Sequence, residues 1–600
     1  PVTIRTDLDP FRAHRPIDLH TSSANWTVGA KIGVLEMTLG KCFQVAALAF
    51  TIALGVATAQ GPADLLILNG KVYTADGSGT FQAAVAIRGN KILRVGRSED
   101  LSKLRGPNTQ VVDAHGGAVL PGFNDIHTHM LSGGMALENV RLQGARTLED
   151  VQDRIRSFAK AHPERAWIEG TGWNYGAFPG DIPTRAQLDA AVPDRPAVMR
   201  CYDGHSVWVN SKALALAKIT KDTPDPPNGF IVRDPKTGEP SGLLKETPAT
   251  ALIQKVLPSP SPAERQQGLK AAIAEAQRNG VTSVTDAAGS PEDFEVYDQA
   301  RRNGDLKVRV YCSLLVTPGF SAKDADRFDQ VWKSHPDSPV LKTGIIKMFM
   351  DGVIETNTAF LLANYTNIPS PGKPNYTVDD FNRILQMMDR RGWQIMVHSL
   401  GDGAVRMTLD GFEKLATNPM PARGRRDRVE HIETIDLADI PRFGKLGVIA
   451  SMHPIGGFVP PNRPAPTGPQ GVWATNLGPE RAARGGMWKS ISDAGGRVVF
   501  GSDWPVASLD AMGRIYNITH RAPRPEGTDQ RLTLTAAIDD YTRESAYSTF
   551  DEKIKGTLAP GMLADVVVLA TDVFTHPAER REDLGVTTTI FDGKVVFRAP

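Results

Sequence analysis

Eight short apolar runs recur through the middle of this chain, at residues 118–127, 281–286, 308–315, 344–351, 394–398, 428–431, 448–453 and 498–503, seven of them ending in a polar or charged residue. Most are separated by amphipathic stretches of helix length, among them 262–279, 378–391, 402–416 and 480–494. Continuous apolar strands alternating with helices indicate a parallel sheet buried on both faces, and eight such units indicate closure into a (β/α)8 barrel of the α/β class. In such barrels the groups that do chemistry stand at the C-terminal ends of the strands. This chain puts His127, Asp286, Lys347, His398, His431, His453 and Asp503 there. The first and second runs are too far apart for one helix, so an insertion at about 131–262 is expected to overhang the barrel mouth and shape a pocket.

The two ends of the chain read differently. Near the N-terminal side, short β runs are joined at Asn69-Gly70 and Gly89-Asn90, the strongest local hairpin signal, and the far end repeats the style around Asp592-Gly593. Strand edges need partners, so residues 60–117 and 554–600 are expected to complete one composite β-sandwich beside a barrel spanning 118–553. The 600 residues, 41% of them apolar, exceed what a single core uses.

The apolar run 42–56 follows Met37 and Lys41 and leads into Ala57-Thr58-Ala59, the pattern of a signal peptide over 37–59. It is shorter than the roughly 20 residues a membrane span needs. Residues 1–36 show little apolar periodicity and are expected to be a disordered segment upstream of the true start, Met37. An exported, periplasmic or secreted product follows, with no membrane association after signal cleavage. Lys plus Arg (68) nearly balance Asp plus Glu (67), and there is no long basic run, so no nucleic-acid partner is expected. The partner expected is a small-molecule substrate, and a homodimer is allowed. Once Cys42 leaves with the signal, Cys201 and Cys312 remain; buried free thiols are expected ahead of a disulfide.

The chemistry concentrates at the strand ends. His127 and His129 are two apart, and residues i and i+2 of a strand point the same way, so both imidazoles can reach one metal. Lys347 interrupts an apolar run, where an ammonium in the barrel interior would be costly to desolvate. Either it pairs with Asp351 or Glu355, or it has reacted with carbon dioxide to give a carbamate that bridges two divalent cations. His398 and His431 each end a separate strand; alone, each reads as a core histidine, and together with the preceding residues as ligands. Asp503, after the eighth run, can bind a metal and accept a proton from water; the plainer reading is a turn or cap before Pro505.

The order of these motifs resembles the amidohydrolase superfamily, in particular its family 3, the branch that includes N-substituted formamide deformylases and relatives of unknown substrate. The resemblance covers roughly 62–598 and rests on residues 120–129 and 347–355, the two single histidines, Gly501-Ser502-Asp503 and residues 561–565. Stretches at 172–174, 203–211 and 238–246 also resemble that branch. It implies that His127, His129 and Asp503 bind one metal, that His398 and His431 bind the other, and that carboxylated Lys347 bridges them. One or two divalent ions are implied, zinc foremost. Trp173, His205 and Trp208, in the insert, become candidates for substrate binding, with packing of the insert as the alternative. His453 stands where the branch often has Gln and is a candidate to contact the substrate carbonyl or leaving group.

The function expected is hydrolysis of a linear, non-peptide amide-type C–N bond, as in an N-acyl or N-formyl amine, by metal-activated hydroxide, with Asp503 and Lys347 as catalytic groups. The alternatives are ester, lactone or cyclic-amide hydrolysis or deamination at the same site, or a regulatory protein with a vestigial centre. Substrate identity lies in loops and is not legible in the ligands.

Overall fold

The computed structural model describes residues 61–454, 471–521, 523, 527–575 and 584–600. The expectations for 1–36 and for the signal peptide at 37–59 lie outside the described residues. The barrel strands, numbered here in chain order, are β1 (Phe123–Thr128), β2 (Val281–Gly289), β3 (Arg309–Leu315), β4 (Leu341–Phe349), β5 (Gln394–Ser399), β6 (Arg428–His431), β7 (Ile449–Met452) and β8 (Arg497–Phe500). All pair in parallel, each with its neighbour in sequence. A parallel bridge from Thr128 to Trp504 closes the ring.

Every residue of β1 and β5 is buried, as expected of strands covered by helices outside and packed side chains inside. The interior is filled by Ala287, Tyr311, Ile345 and Met396 on one side and by Ile126, Ile449 and Val499 on the other. The barrel is therefore a packed core and not a pore. Helix Pro262–Arg278, which leads into β2, starts at a capping box between Ser261 and Glu264 with Pro262 in its first turn. Helices Val378–Arg390 and Asp402–Lys414 also fall where the periodicity put them.

Two sequence expectations differ from the structure. The run at 118–127 is two strands: Ala118–Pro121 pairs with Lys71–Tyr73 and Val566–Leu569 in a separate sheet, and the barrel begins only at Phe123. The chain changes sheets at Gly122, where a Cβ would stand 2.2 Å from Thr282 Oγ1. The helix expected at 480–494 is two short helices, Pro479–Ala483 and Trp488–Asp493, broken where Gly486 takes a φ of +68°.

Strands from both ends of the chain share one six-stranded sheet, in the order Lys594–Arg598, Val586–Phe591, Val566–Leu569, Ala118–Pro121, Lys71–Tyr73 and Phe81–Gln82. It packs on a four-stranded sheet from residues 63–113 over a common core that includes Ile67, Ile87, Val119, Val566 and Ile590. Between β1 and β2 the chain forms a third, six-stranded sheet, with its own cores around Trp173 and Trp208 and around Val207 and Leu244. Cys201 and Cys312 are buried and free. No helix among the described residues is long and apolar enough to cross a membrane.

Candidate metal centre

His127 and His129 leave the end of β1, and Asp503 follows β8, the strand that closes against β1. Gly501 makes this junction tight, since a Cβ there would lie 2.8 Å from His127 N. His129 Nε2 stands 3.2 Å, and His127 Nε2 3.5 Å, from Asp503 Oδ1. Asp503 Oδ1 is nevertheless buried without a hydrogen-bond partner, so ring and carboxylate are not aligned on each other. That is the arrangement of donors aimed at a shared point. The ligand atoms of His127, His129 and Asp503 lie within 4.8 Å of one another, as do those of His127, His431 and His453.

Lys347 projects from β4 into the same space, with Nζ 3.2 Å from His127 Nε2 and 4.6 Å from the centre of the Phe349 ring. It pairs with neither Asp351 nor Glu355. Burial pushes its ammonium down to about 8. His398 sits ring to ring with His431, centroids 4.3 Å apart, and its Nε2 donates to Gly352 O at 3.2 Å, which leaves Nδ1 as the lone-pair nitrogen. His431 Nε2 has no partner. Burial, together with Lys347 and the neighbouring imidazoles, holds His127, His398 and His431 well below the usual imidazole range, in the neutral form that ligates metal. Burial alone would raise the Asp503 carboxyl, but the adjacent His129, His453 and Lys347 outweigh it and hold it below the ordinary value.

The backbone is bent to make this arrangement. His431 (φ 72°), Ile432 (φ 52°) and Asp503 (φ 57°) all take left-handed conformations, a strain that packed surroundings must hold in place.

The candidate site residues divide into two groups. His127, His129, Lys347, His398, His431 and Asp503 converge at the barrel mouth. His453 joins them: its Nδ1 donates to Gly501 O at 3.2 Å, so its partnerless Nε2 presents a lone pair to the cavity. His205 lines the same cavity, of about 250 Å³, with its ring 5.5 Å from that of His398. Burial would lower its imidazole, yet Glu246, 2.8 Å from Nδ1, and Asp203 raise it to about 9, so it is cationic at neutral pH. Trp173 and Trp208 do not reach the cavity. Both are fully buried, with their indole N–H groups donating to Met199 O and Thr184 O, and they pack against Phe178 inside the insert. Large aromatics in a small separate sheet are needed for its core.

The sequence reading missed Glu430. Its Oε2 accepts from His127 Nδ1 at 2.6 Å and from Ser451 Oγ, while Oε1 lies 2.8 Å from Arg428 Nε. The available signal was the strand Arg428-Val429-Glu430-His431 itself, with three ionisable residues out of four in a barrel of apolar strands. Asp125 was missed as well: its Oδ1 accepts the backbone N–H groups of His127 and Ser502 and so ties β1 to the Asp503 loop.

Comparison with known proteins matches the amidohydrolase family over residues 110–597. The chain is 31% identical to Protein LONG AFTER FAR-RED 3 of Arabidopsis thaliana, over 89% of this chain and 92% of that one. It is 29% identical to putative amidohydrolase YtcJ of Bacillus subtilis, over 88% of this chain and 98% of the relative. It is 25% identical to an N-substituted formamide deformylase of Arthrobacter pascens, over 88% and 97%. Among solved structures, an uncharacterized metal-dependent hydrolase from Pyrococcus horikoshii superposes with a TM-score of 0.66 at 24% identity, covering 85% of this chain and 97% of that one. The matched span includes the whole barrel and every residue of the donor cluster; the chain belongs to amidohydrolase family 3.

Proposed function

We propose that this protein hydrolyses a linear amide-type C–N bond of a small N-formyl or N-acyl amine. The observation that carries the reading is the convergence of His127, His129 and Asp503 with a partnerless Asp503 oxygen between them. The formamide deformylase among the relatives supports the bond type.

The donor set fits divalent cations, zinc foremost: neutral imidazoles, a carboxylate, and two ring nitrogens, those of His431 and His453, that are buried with nothing to bond. His127, His129 and Asp503 would hold one cation; His431 and His398, with Lys347 as a CO2-derived carbamate, would hold a second. A carbamate forms from a neutral amine, and burial favours that form of Lys347. Bound there, the cations supply Lewis acidity, which lowers the pKa of water and polarises a carbonyl.

The chain's own residues do the rest. Glu430 holds the proton on His127 Nδ1, which turns Nε2 toward the centre. Cationic His205 lines the cavity where it can polarise the carbonyl oxygen. Asp503 Oδ1 takes the proton of the attacking water and passes it to the leaving nitrogen. His453 Nε2, an acceptor, suits the N–H of the departing amine and not the carbonyl. The test is metal analysis of the purified protein coupled to a screen of N-formyl and N-acyl amines beside esters, lactones and cyclic amides. Hydrolysis of the linear amides is expected, with turnover in Asp503→Ala reduced about 10³-fold or more. Preferential ester or lactone cleavage would overturn the bond assignment.

A further inference from the structure

On the His398 side of the cavity, two carboxyl groups face the space where a substrate would extend from the centre. Asp203 comes from the insert, just after its strand Ala197–Cys201, and Glu355 from the loop that follows β4. Tyr202, next to Asp203, donates its O–H to Glu355 Oε1 at 2.8 Å and so holds the two loops together. Asp203 Oδ1 accepts the backbone N–H of His205 at 2.8 Å, while its Oδ2 is fully buried with no hydrogen-bond partner among the described residues.

The cation beside this pair is already engaged. His205 Nδ1 donates to Glu246 Oε2 at 2.8 Å, and the other Glu246 oxygen is satisfied by Thr356 and Thr358. Lys245, beside them and largely buried, feels the charges of Asp203 and Glu246, but burial outweighs both and lowers its ammonium. Burial raises the Asp203 carboxyl. Burial, and after it the charge of Asp203, push the Glu355 carboxyl up to about 7. Each acid accepts one hydrogen bond, but Asp203 Oδ2 is left bare, and an unsatisfied buried acceptor is costly.

We propose that the cavity selects substrates that carry a cationic amino group, and that Asp203 and Glu355 receive it. The inference rests on the amide-hydrolase reading only for where the scissile bond lies. An ammonium brings what the pair lacks, a positive charge and several N–H donors, at short range in a poorly hydrated pocket. The pair then acts as a specificity determinant, holding the amino end while the carbonyl meets the centre.

The test measures binding, not turnover. Benzylammonium and benzyl alcohol are titrated at neutral pH into the metal-loaded wild type, Asp203→Asn and Glu355→Gln, by calorimetry or ligand-observed NMR. Wild type is expected to bind the ammonium about tenfold more tightly than the alcohol, and each variant to lose that preference. Both variants neutralise a buried acid and are expected to unfold at or above the wild-type temperature, which separates lost recognition from lost folding. Equal binding of the two probes by wild type, or an ammonium preference that survives in the variants, as direct ligation of the metal by the amine would give, would overturn the proposal. Failure of the chain to cleave any amide would count against the reaction assignment and leave this binding result standing.

Discussion

Glu430 shows how one side chain serves both the fold and the centre. It orients His127 through a 2.6 Å contact and neutralises Arg428, which is fully buried in the barrel interior. Replacing it with Gln should weaken metal affinity about 10- to 100-fold, read by competition with a chelator, because the charge that strengthens His127 as a ligand is gone. The same change leaves the Arg428 guanidinium without its carboxylate, so the metal-free form should lose about 3 kcal/mol in denaturant unfolding. Unchanged metal affinity would show that Glu430 is structural only. This role was hidden in the sequence because its partner lies 303 residues away. His127, His129, Lys347 and Asp503 were legible for the opposite reason: a polar residue that closes or interrupts an apolar strand stands out without its partners. His453 was legible as a residue of interest but not as part of the donor cluster, which depends on the direction of its Nδ1 bond to Gly501. Trp173 and Trp208 misled because a large aromatic near a pocket and one filling a small core look alike in sequence.

At the level of strands and helices, periodicity located the barrel but not its seams. The run at 118–127 reads as one apolar strand, yet Pro121 and Gly122 carry the chain from the sandwich into the barrel, and a hydrophobic pattern does not record which sheet a strand joins. Asp427, just ahead of β6, offers a test of the opposite end of the barrel. Its Oδ1 accepts the N–H of Ile395, and burial, with Asp389 nearby, pushes the carboxyl up to about 7. A carboxyl raised above its unfolded value of 3.8 stabilises the fold fully below that value, and the contribution is lost as pH rises through about 7. Asp427→Asn keeps the acceptor oxygen and removes the titration. The variant should therefore match wild type in thermal unfolding near the acid end of that window and exceed it above neutrality. A constant difference across pH would refute the assignment.

Across the whole molecule, the composite sandwich is fastened to the barrel by charge as well as by apolar packing. Arg309, at the start of β3, grips Asp565 with two bonds of 2.6 and 2.9 Å and reaches Asp592 at 2.9 Å; Arg309 and Asp565 are both buried. Arg309→Met should cost about 3–5 kcal/mol by leaving Asp565 uncompensated, and Arg309→Met with Asp565→Leu should recover much of that loss. Additive losses in the double variant would mean that the pair is not what joins these parts. This arrangement lets residues distant in the chain, from β1 to β8, be held to the tolerance that a metal site needs.

That convergence is tested most directly by anomalous diffraction at the zinc edge from crystals of the metal-loaded chain. The expected result is an anomalous peak bounded by His127, His129 and Asp503 and a second beside His431 and Lys347. Metal-loaded crystals with no anomalous density among these side chains, or with zinc held elsewhere in the barrel, would contradict it.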